Sequence, residues 1–278
     1  MMSSMEDKLE TLRASIDAID DQIHALMMKR GRFVEQIGAL KKQQAQTAAP
    51  LFPVRPARES AMLKRLAANH HGAFPFHSIV RIWHEMIAAY THMQASYSVM
   101  LASEDRQLFD LIRDQFGAST PITTSPDYRT ALDALKSGRA TIAALPINAQ
   151  NDDSSQFWWE APEVGHSCYV FMMLPTVSIG TNKGEQAVAI ADFQAQPSSD
   201  DWRFWRLRGL DHSQYNQAVL EQSRGKLTLF SGNAMNCSAL IMLASDQAPD
   251  EYHPDIFGTC QCELIGIAPA PLIIEAPE

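Results

Sequence analysis

The chain has 278 residues, 46% of them hydrophobic and 20% charged, with a formal net charge of −9. That length suits one large or two ordinary globular domains, and an acidic chain is a poor partner for nucleic acid. No run of eighteen apolar residues occurs, and the polar, acidic start lacks a basic and then apolar leader, so neither a membrane span nor a secretory signal is expected.

The first element dominates. From Glu6 to Gln43 apolar residues recur at Leu9, Leu12, Ile16, Ile19, Ile23, Leu26, Phe33, Ile37 and Leu40. The alternating steps of three and four predict one continuous helix, packed lengthwise on other helices and about 55 Å long at 1.5 Å per residue. A helix of that length exceeds a small domain, so one end is expected to lean on another subunit. The same rhythm asks for an apolar residue at position 30 and finds Arg30. A guanidinium in an apolar seam has three fates: it snorkels out along its stem, pairs with a carboxylate, or awaits an anionic ligand. Arg13 borders the seam and Lys41 follows it. Arg13 stands about 25 Å and Lys41 about 16 Å from Arg30 along the axis. One small ligand therefore reaches both Arg13 and Lys41 only if two such helices pair antiparallel.

Pro50, Pro53 and Pro56 mark a loop, with Pro56 opening a second helix that runs to about Asn69. Arg58 and Glu59 lie in its first turn, where a carboxylate complements the helix N-terminus. A third helix is expected from Ser78 to about Ala95. Its apolar face is Ile79, Trp83, Met86, Ile87 and Tyr90, continued one turn on by Gln94.

From Tyr97 the pattern changes. Short strands at Ser98–Ala102, Pro121–Thr124 and Ala140–Leu145 alternate with helices at Arg106–Phe116 and Tyr128–Ser137, which predicts a parallel α/β unit. Later strands are expected at Cys168–Leu174, Ala187–Asp192, Arg203–Leu207, Lys226–Phe230, Ala239–Ala244 and Cys262–Ile267, with a helix at Gln214–Ser223. Together these suggest a small α+β sandwich. Cys168, Cys237, Cys260 and Cys262 read as reduced structural thiols in a cytoplasmic protein, and no metal site is expected. Arg203, Arg206 and Arg208, beside Trp202 and Trp205, read as a strand with a solvated edge.

Leu12-Arg13, Ile19-Asp20, Lys29-Arg30, Ile37-Gly38, Lys41, the Pro56-x-Arg58-Glu59 element and the helix ending in Gln94 resemble the all-helical chorismate mutase family over residues 6–96. The loop from Lys41 to Arg58 is a few residues longer than in that family. The resemblance implies an intertwined homodimer of three-helix domains and no cofactor. It also implies rearrangement of chorismate to prephenate, a step of aromatic amino acid biosynthesis. The substrate is a dicarboxylate, and the reaction breaks an ether C–O bond while making a C–C bond. It needs shape control and charge stabilisation at the ether oxygen, without a nucleophile or proton transfer. By the resemblance Arg30 and a second copy's Arg13 would bind carboxylates, with Arg58 adding to the cationic pocket. Lys41 and Gln94 would donate to the ether oxygen, and Glu59 would take the ring hydroxyl. Two positions depart: Arg55 stands where the family often has an acidic residue, and Tyr90 where it often has a small hydroxyl residue. Pyruvate elimination from isochorismate, run by a family member with nearly the same pocket, stays open. So does a non-catalytic sensor of small anions.

The stretch from Ala131 to Ile147 is similar to the first lobe of prephenate dehydratases, but Asn148-Ala149-Gln150 replaces that family's Glu-Asn-Ser and no Thr-Arg-Phe triplet occurs. A working dehydratase is therefore not expected. The last ninety residues loosely resemble an amino-acid-sensing module, which would bring an aromatic amino acid effector; an inert or purely dimer-stabilising domain stays equally open. The expected organisation is a helical domain over 1–96 and an α/β domain, regulatory or degenerate, over 97–278.

Overall fold

The computed structural model describes residues 2–45, 52–149, 156–179, 185–198, 200–210, 227–233, 236–244 and 260–274. Three helices come first: α1 (Met2–Ala45), α2 (Pro56–Ala68) and α3 (Phe76–Gln94). Pro56 opens α2, where its missing amide proton is no loss. α3 begins two residues before the expected Ser78, because the Pro75 carbonyl already accepts from the Ser78 and Ile79 amides.

The alternating stretch follows as β1 (Val99–Leu101), α4 (Arg106–Phe116), β2 (Ile122–Thr124), α5 (Tyr128–Lys136) and β3 (Ile142–Pro146). Side-chain caps start both helices. Asp105 accepts from the Gln107 and Leu108 amides and Asp127 from the Thr130 amide. Gly117, at φ 83°, stops α4. β1 pairs in parallel with both β2 and β3, as the strand–helix alternation requires.

The later strands are β4 (Tyr169–Leu174), β5 (Val177–Ile179), β6 (Ala187–Ala191), β7 (Asp201–Leu210), β8 (Leu227–Asn233), β9 (Asn236–Leu243), β10 (Gln261–Pro269) and β11 (Leu272–Ile274). They do not form a separate sandwich. β6 joins β3 antiparallel and extends one sheet of order β2-β1-β3-β6-β4-β10-β7-β9-β8, while β5 and β11 pair apart from it. The helix expected at Gln214–Ser223 lies outside the described residues.

Compactness divides the chain into two units: residues 1–53 with 90–96, and residues 54–89 with 97–278. The expected boundary at residue 96 follows the change of pattern at Tyr97, whereas by compactness α2 and most of α3 group with the sheet. In the first unit, every described α1 side chain from Met5 to Lys29 is exposed.

In the second unit Trp158, Trp159, Phe204, Leu240 and Ile265 belong to the main core. A smaller core joins Leu63 of α2 and Phe76 and Val80 of α3 to Val177 of β5 and Leu272 and Ile274 of β11. β7 is an inner strand between β10 and β9, so the expected solvated edge does not hold for Arg206. That residue is fully buried; it bonds Glu263 at 2.6 Å and donates to the carbonyls of Trp159 and Ala161 at 2.7 and 3.1 Å. Its charge is paired and its donors are used, as burial demands. Among the described residues no helix is long and apolar enough to cross a membrane.

Candidate functional site

A second stripe on α1, one residue out of step with the apolar seam, carries the chemistry. Met27, Gly31, Val34, Gly38 and Lys41 recur at steps of four and three, so they share one face. The last turn of α3 packs there. A Cβ added at Gly31 would lie 3.6 Å from Cε1 of Tyr90, and one at Gly38 would lie 3.5 Å from Cγ of Gln94. Both glycines are buried. Their missing side chains let Tyr90 and Gln94, themselves one helical turn apart, approach the α1 backbone.

Four polar side chains meet on this face. The Tyr90 hydroxyl donates to the Met27 carbonyl at 2.7 Å. The Arg30 guanidinium carbon lies 4.5 Å from the centroid of the Tyr90 ring, within cation–π range. Arg30 is half-buried, and its Nη1 is buried without a hydrogen-bond partner. No carboxylate among the described residues pairs with it. Lys41 donates from Nζ to Oε1 of Gln94 at 2.8 Å. The Gln94 amide nitrogen reaches the Tyr90 carbonyl only at 3.5 Å, so its N–H groups have donor capacity to spare.

The energetics identify which contact is incomplete. A buried donor without an acceptor costs about 1–3 kcal/mol, and more when it is charged. The ring under Arg30 returns about 0.5–2 kcal/mol but accepts no conventional hydrogen bond. The guanidinium is thus a half-buried cation with one buried N–H group unsatisfied, and its complement is an anionic oxygen. Of the three fates open to Arg30, the ion pair with a described carboxylate is absent, and Nη1 does not snorkel free.

The other expected residues are placed as follows. Arg13 lies exposed on α1, far along the axis from Arg30. Arg55 stands at the N-cap position of α2 without a side-chain capping bond, and burial lowers its pKa. Arg58 is exposed. Glu59 is only partly exposed, and burial of its carboxyl pushes its pKa up to about 7, against a smaller opposing pull from a hydrogen bond with the Arg55 backbone. It lines a small cavity with Ser60, Gln115, Met172 and Thr176. Arg55, Arg58 and Glu59 belong to the second unit, and Arg13, Arg30, Lys41, Tyr90 and Gln94 to the first.

Sequence reasoning passes over His84, which is 6% exposed. Its Nδ1 lies 3.1 Å from the Asp114 carbonyl and its Nε2 3.4 Å from Thr176, whose hydroxyl donates to Gln115 at 2.7 Å. Burial lowers its pKa despite the nearby Asp114, which favours the neutral ring. A signal exists in the sequence: Val80, His84 and Ala88 sit four apart, and all three are buried. Among the described residues no group of three His, Cys, Asp or Glu could hold a metal ion.

Comparison with known proteins bears on the helical part most directly. Residues 12–95 match the family described as chorismate mutase type II. The bifunctional chorismate mutase/prephenate dehydratase of Pseudomonas aeruginosa is 28% identical over 85 residues, covering 30% of this chain and 23% of that protein. The protein of the same description from Aquifex aeolicus is 24% identical over 147 residues, covering 51% of this chain and 39% of its own. The chain therefore spans about a quarter and two fifths of the lengths of these relatives. Among solved structures, a quorum-quenching acylase, GqqA, is similar at 12% identity and a TM-score of 0.44, over 62% of this chain and 94% of its own. The prephenate dehydratase of Streptococcus mutans is similar at 8% identity and a TM-score of 0.40, over 65% and 100%. The type II mutase match encloses every residue of the Arg30 cluster.

Proposed function

We propose that the protein is a chorismate mutase, converting chorismate to prephenate on the α1 face that carries Arg30. The observation that carries this reading is the buried, unpartnered Nη1 of Arg30 inside the matched segment. A doubly anionic substrate supplies the acceptor which that nitrogen lacks, and a guanidinium grips a carboxylate through two parallel N–H···O bonds. Lys41 donates a hydrogen bond to the Gln94 carbonyl, and by the family resemblance its ammonium would also donate to the ether oxygen. The same bond occupies the Gln94 carbonyl and leaves its N–H groups as a second donor. Charge developing on the ether oxygen is met by donors already oriented, so little reorganisation remains for the transition state.

A second copy completes the reading. The nine apolar residues of the α1 seam are between 40% and 64% exposed, a patch that a lone chain would leave against water. An antiparallel second α1 buries it and brings that copy's Arg13 toward Arg30. Arg55, Arg58 and Glu59 are proposed as further substrate contacts from the family resemblance, not from their placement. An aromatic amino acid effector on the α/β part is proposed on the same ground. Prephenate dehydration is left out of the reading, since the chain lacks the Thr-Arg-Phe triplet.

The test is to incubate the purified full chain with chorismate and follow loss of its enol-ether absorbance. The expected result is prephenate formation whose kcat/KM Arg30→Ala lowers at least about 100-fold, through loss of a bidentate carboxylate contact, with the fold retained. A wild-type rate no faster than the uncatalysed reaction would leave the sensor reading. Faster turnover of isochorismate to pyruvate would replace the rearrangement with the elimination. Phenylpyruvate from added prephenate would restore the dehydratase, and a rate unmoved by Phe, Tyr or Trp would remove the effector.

A further inference from the structure

Tyr90 lies against α1 with both its ring and its hydroxyl in contact, and its size has a use. Three observations bear on it. Its hydroxyl hydrogen is committed to the Met27 carbonyl at 2.7 Å, so it has no proton left for a substrate. Its ring lies under the Arg30 guanidinium, 4.5 Å from centroid to carbon. Its edge sits 3.6 Å from the point where a Gly31 side chain would begin, so α1 has made room for it.

A free Arg side chain samples many rotamers, and freezing them on binding weakens the ligand's hold. We propose that Tyr90 is a positioning residue: clamped to α1 through its hydroxyl, its ring fixes the Arg30 guanidinium in one orientation for a carboxylate ligand. Only a long aromatic side chain can do both. Serine at this position would lack the ring, and phenylalanine would keep the ring but lose the clamp. The identity of the anion rests on the mutase reading; the platform itself rests on the ring, the hydroxyl and the guanidinium.

The placement predicts a particular kinetic signature. A carboxylate held equally in ground and transition states affects substrate binding more than turnover. Loss of the platform therefore raises KM and largely spares kcat. In the full chain, Tyr90→Leu raises KM for chorismate at least about tenfold with kcat within about threefold, whereas Tyr90→Phe raises KM less than about threefold. A side chain that merely fills space would lower the melting temperature in both variants and leave KM unmoved.

A second measurement needs no turnover. The Nε–H resonance of Arg30, assigned by its loss in Arg30→Lys, is displaced by the aromatic ring current in wild type and Tyr90→Phe. It returns to the ordinary arginine range in Tyr90→Leu. An Arg30 resonance that ignores Tyr90→Leu, or equal KM values in Tyr90→Phe and Tyr90→Leu, overturns the proposal. Should wild type leave chorismate untouched, the mutase reading falls, and the Arg30 resonance still decides the platform. If Tyr90→Leu fails to fold, Tyr90→Met decides the same point: the resonance is expected in the ordinary arginine range, and one that stays displaced without a ring overturns the proposal.

Discussion

A guanidinium and a carboxyl, both placed away from bulk water, set the behaviour of this protein residue by residue. Arg30 holds a buried donor with no acceptor, and its planar fork cannot be copied by a point charge. Arg30→Lys keeps the charge, and kcat/KM for chorismate is expected to fall about 10- to 100-fold, a loss of one good bidentate contact. Glu59 titrates near 7 in the folded chain instead of near 4.5. The folded state therefore holds a proton that the unfolded state has released between those values. The contribution is stabilising and complete below about 4.5, and it is lost as pH rises through about 7. Melting temperatures of wild type should accordingly fall relative to Glu59→Gln between about pH 5 and pH 8. Parallel curves for the two proteins would contradict the raised value. Other titrating groups, His84 among them, cancel in that comparison.

The long helix shows what periodicity can and cannot reveal. Its apolar seam is legible because steps of three and four depend only on the 3.6-residue turn, and Arg30 is legible because it breaks them. Replacing Ile16 and Ile23 together by Lys puts two charges on the seam. On the proposed antiparallel pairing of two copies, the expected outcome is that wild type sediments as a dimer and the variant as a monomer, with chorismate turnover lost if a second copy's Arg13 is needed. The contacts that define the site are not legible. Arg30 with Tyr90, and Lys41 with Gln94, join residues more than fifty positions apart, and no local pattern encodes which side chains meet across that gap. The family resemblance brings Arg30, Lys41 and Gln94 to one site; in the local pattern only Gly31 and Gly38 hint at it, since two glycines seven apart on one helix face suggest a close neighbour.

At the scale of the molecule, local signals sort the elements and miss their partners. The capped helices α4 and α5 stand where Asp and Gly place them, and the strands appear near their expected positions. Their union into one nine-stranded sheet depends on long-range pairing, such as β3 with β6, that composition does not record. Arg206 escapes a sequence reading for the same reason, since only its neighbours β9 and β10 make β7 an inner strand. One residue tests that assembly. Gly266, where β10 meets β4 in parallel, has no room for a side chain, because an added Cβ would collide with the Val170 backbone. Gly266→Ala should lower the melting temperature steeply, by separating the strands at their junction, while a wild-type melting curve would show that the junction yields.

The small core shared by α2, the start of α3 and the strands β5 and β11 limits how the gene can be dissected. A fragment ending at residue 96 would carry Leu63, Phe76 and Val80 into water with their cover removed. Such a piece should express as aggregate or as a loosely folded species, even though it spans the whole matched family segment. The hydrophobic faces of α2 and the start of α3 are matched to β5 and β11, and a minimal helical fragment would have to be redesigned along that core instead of simply cut free.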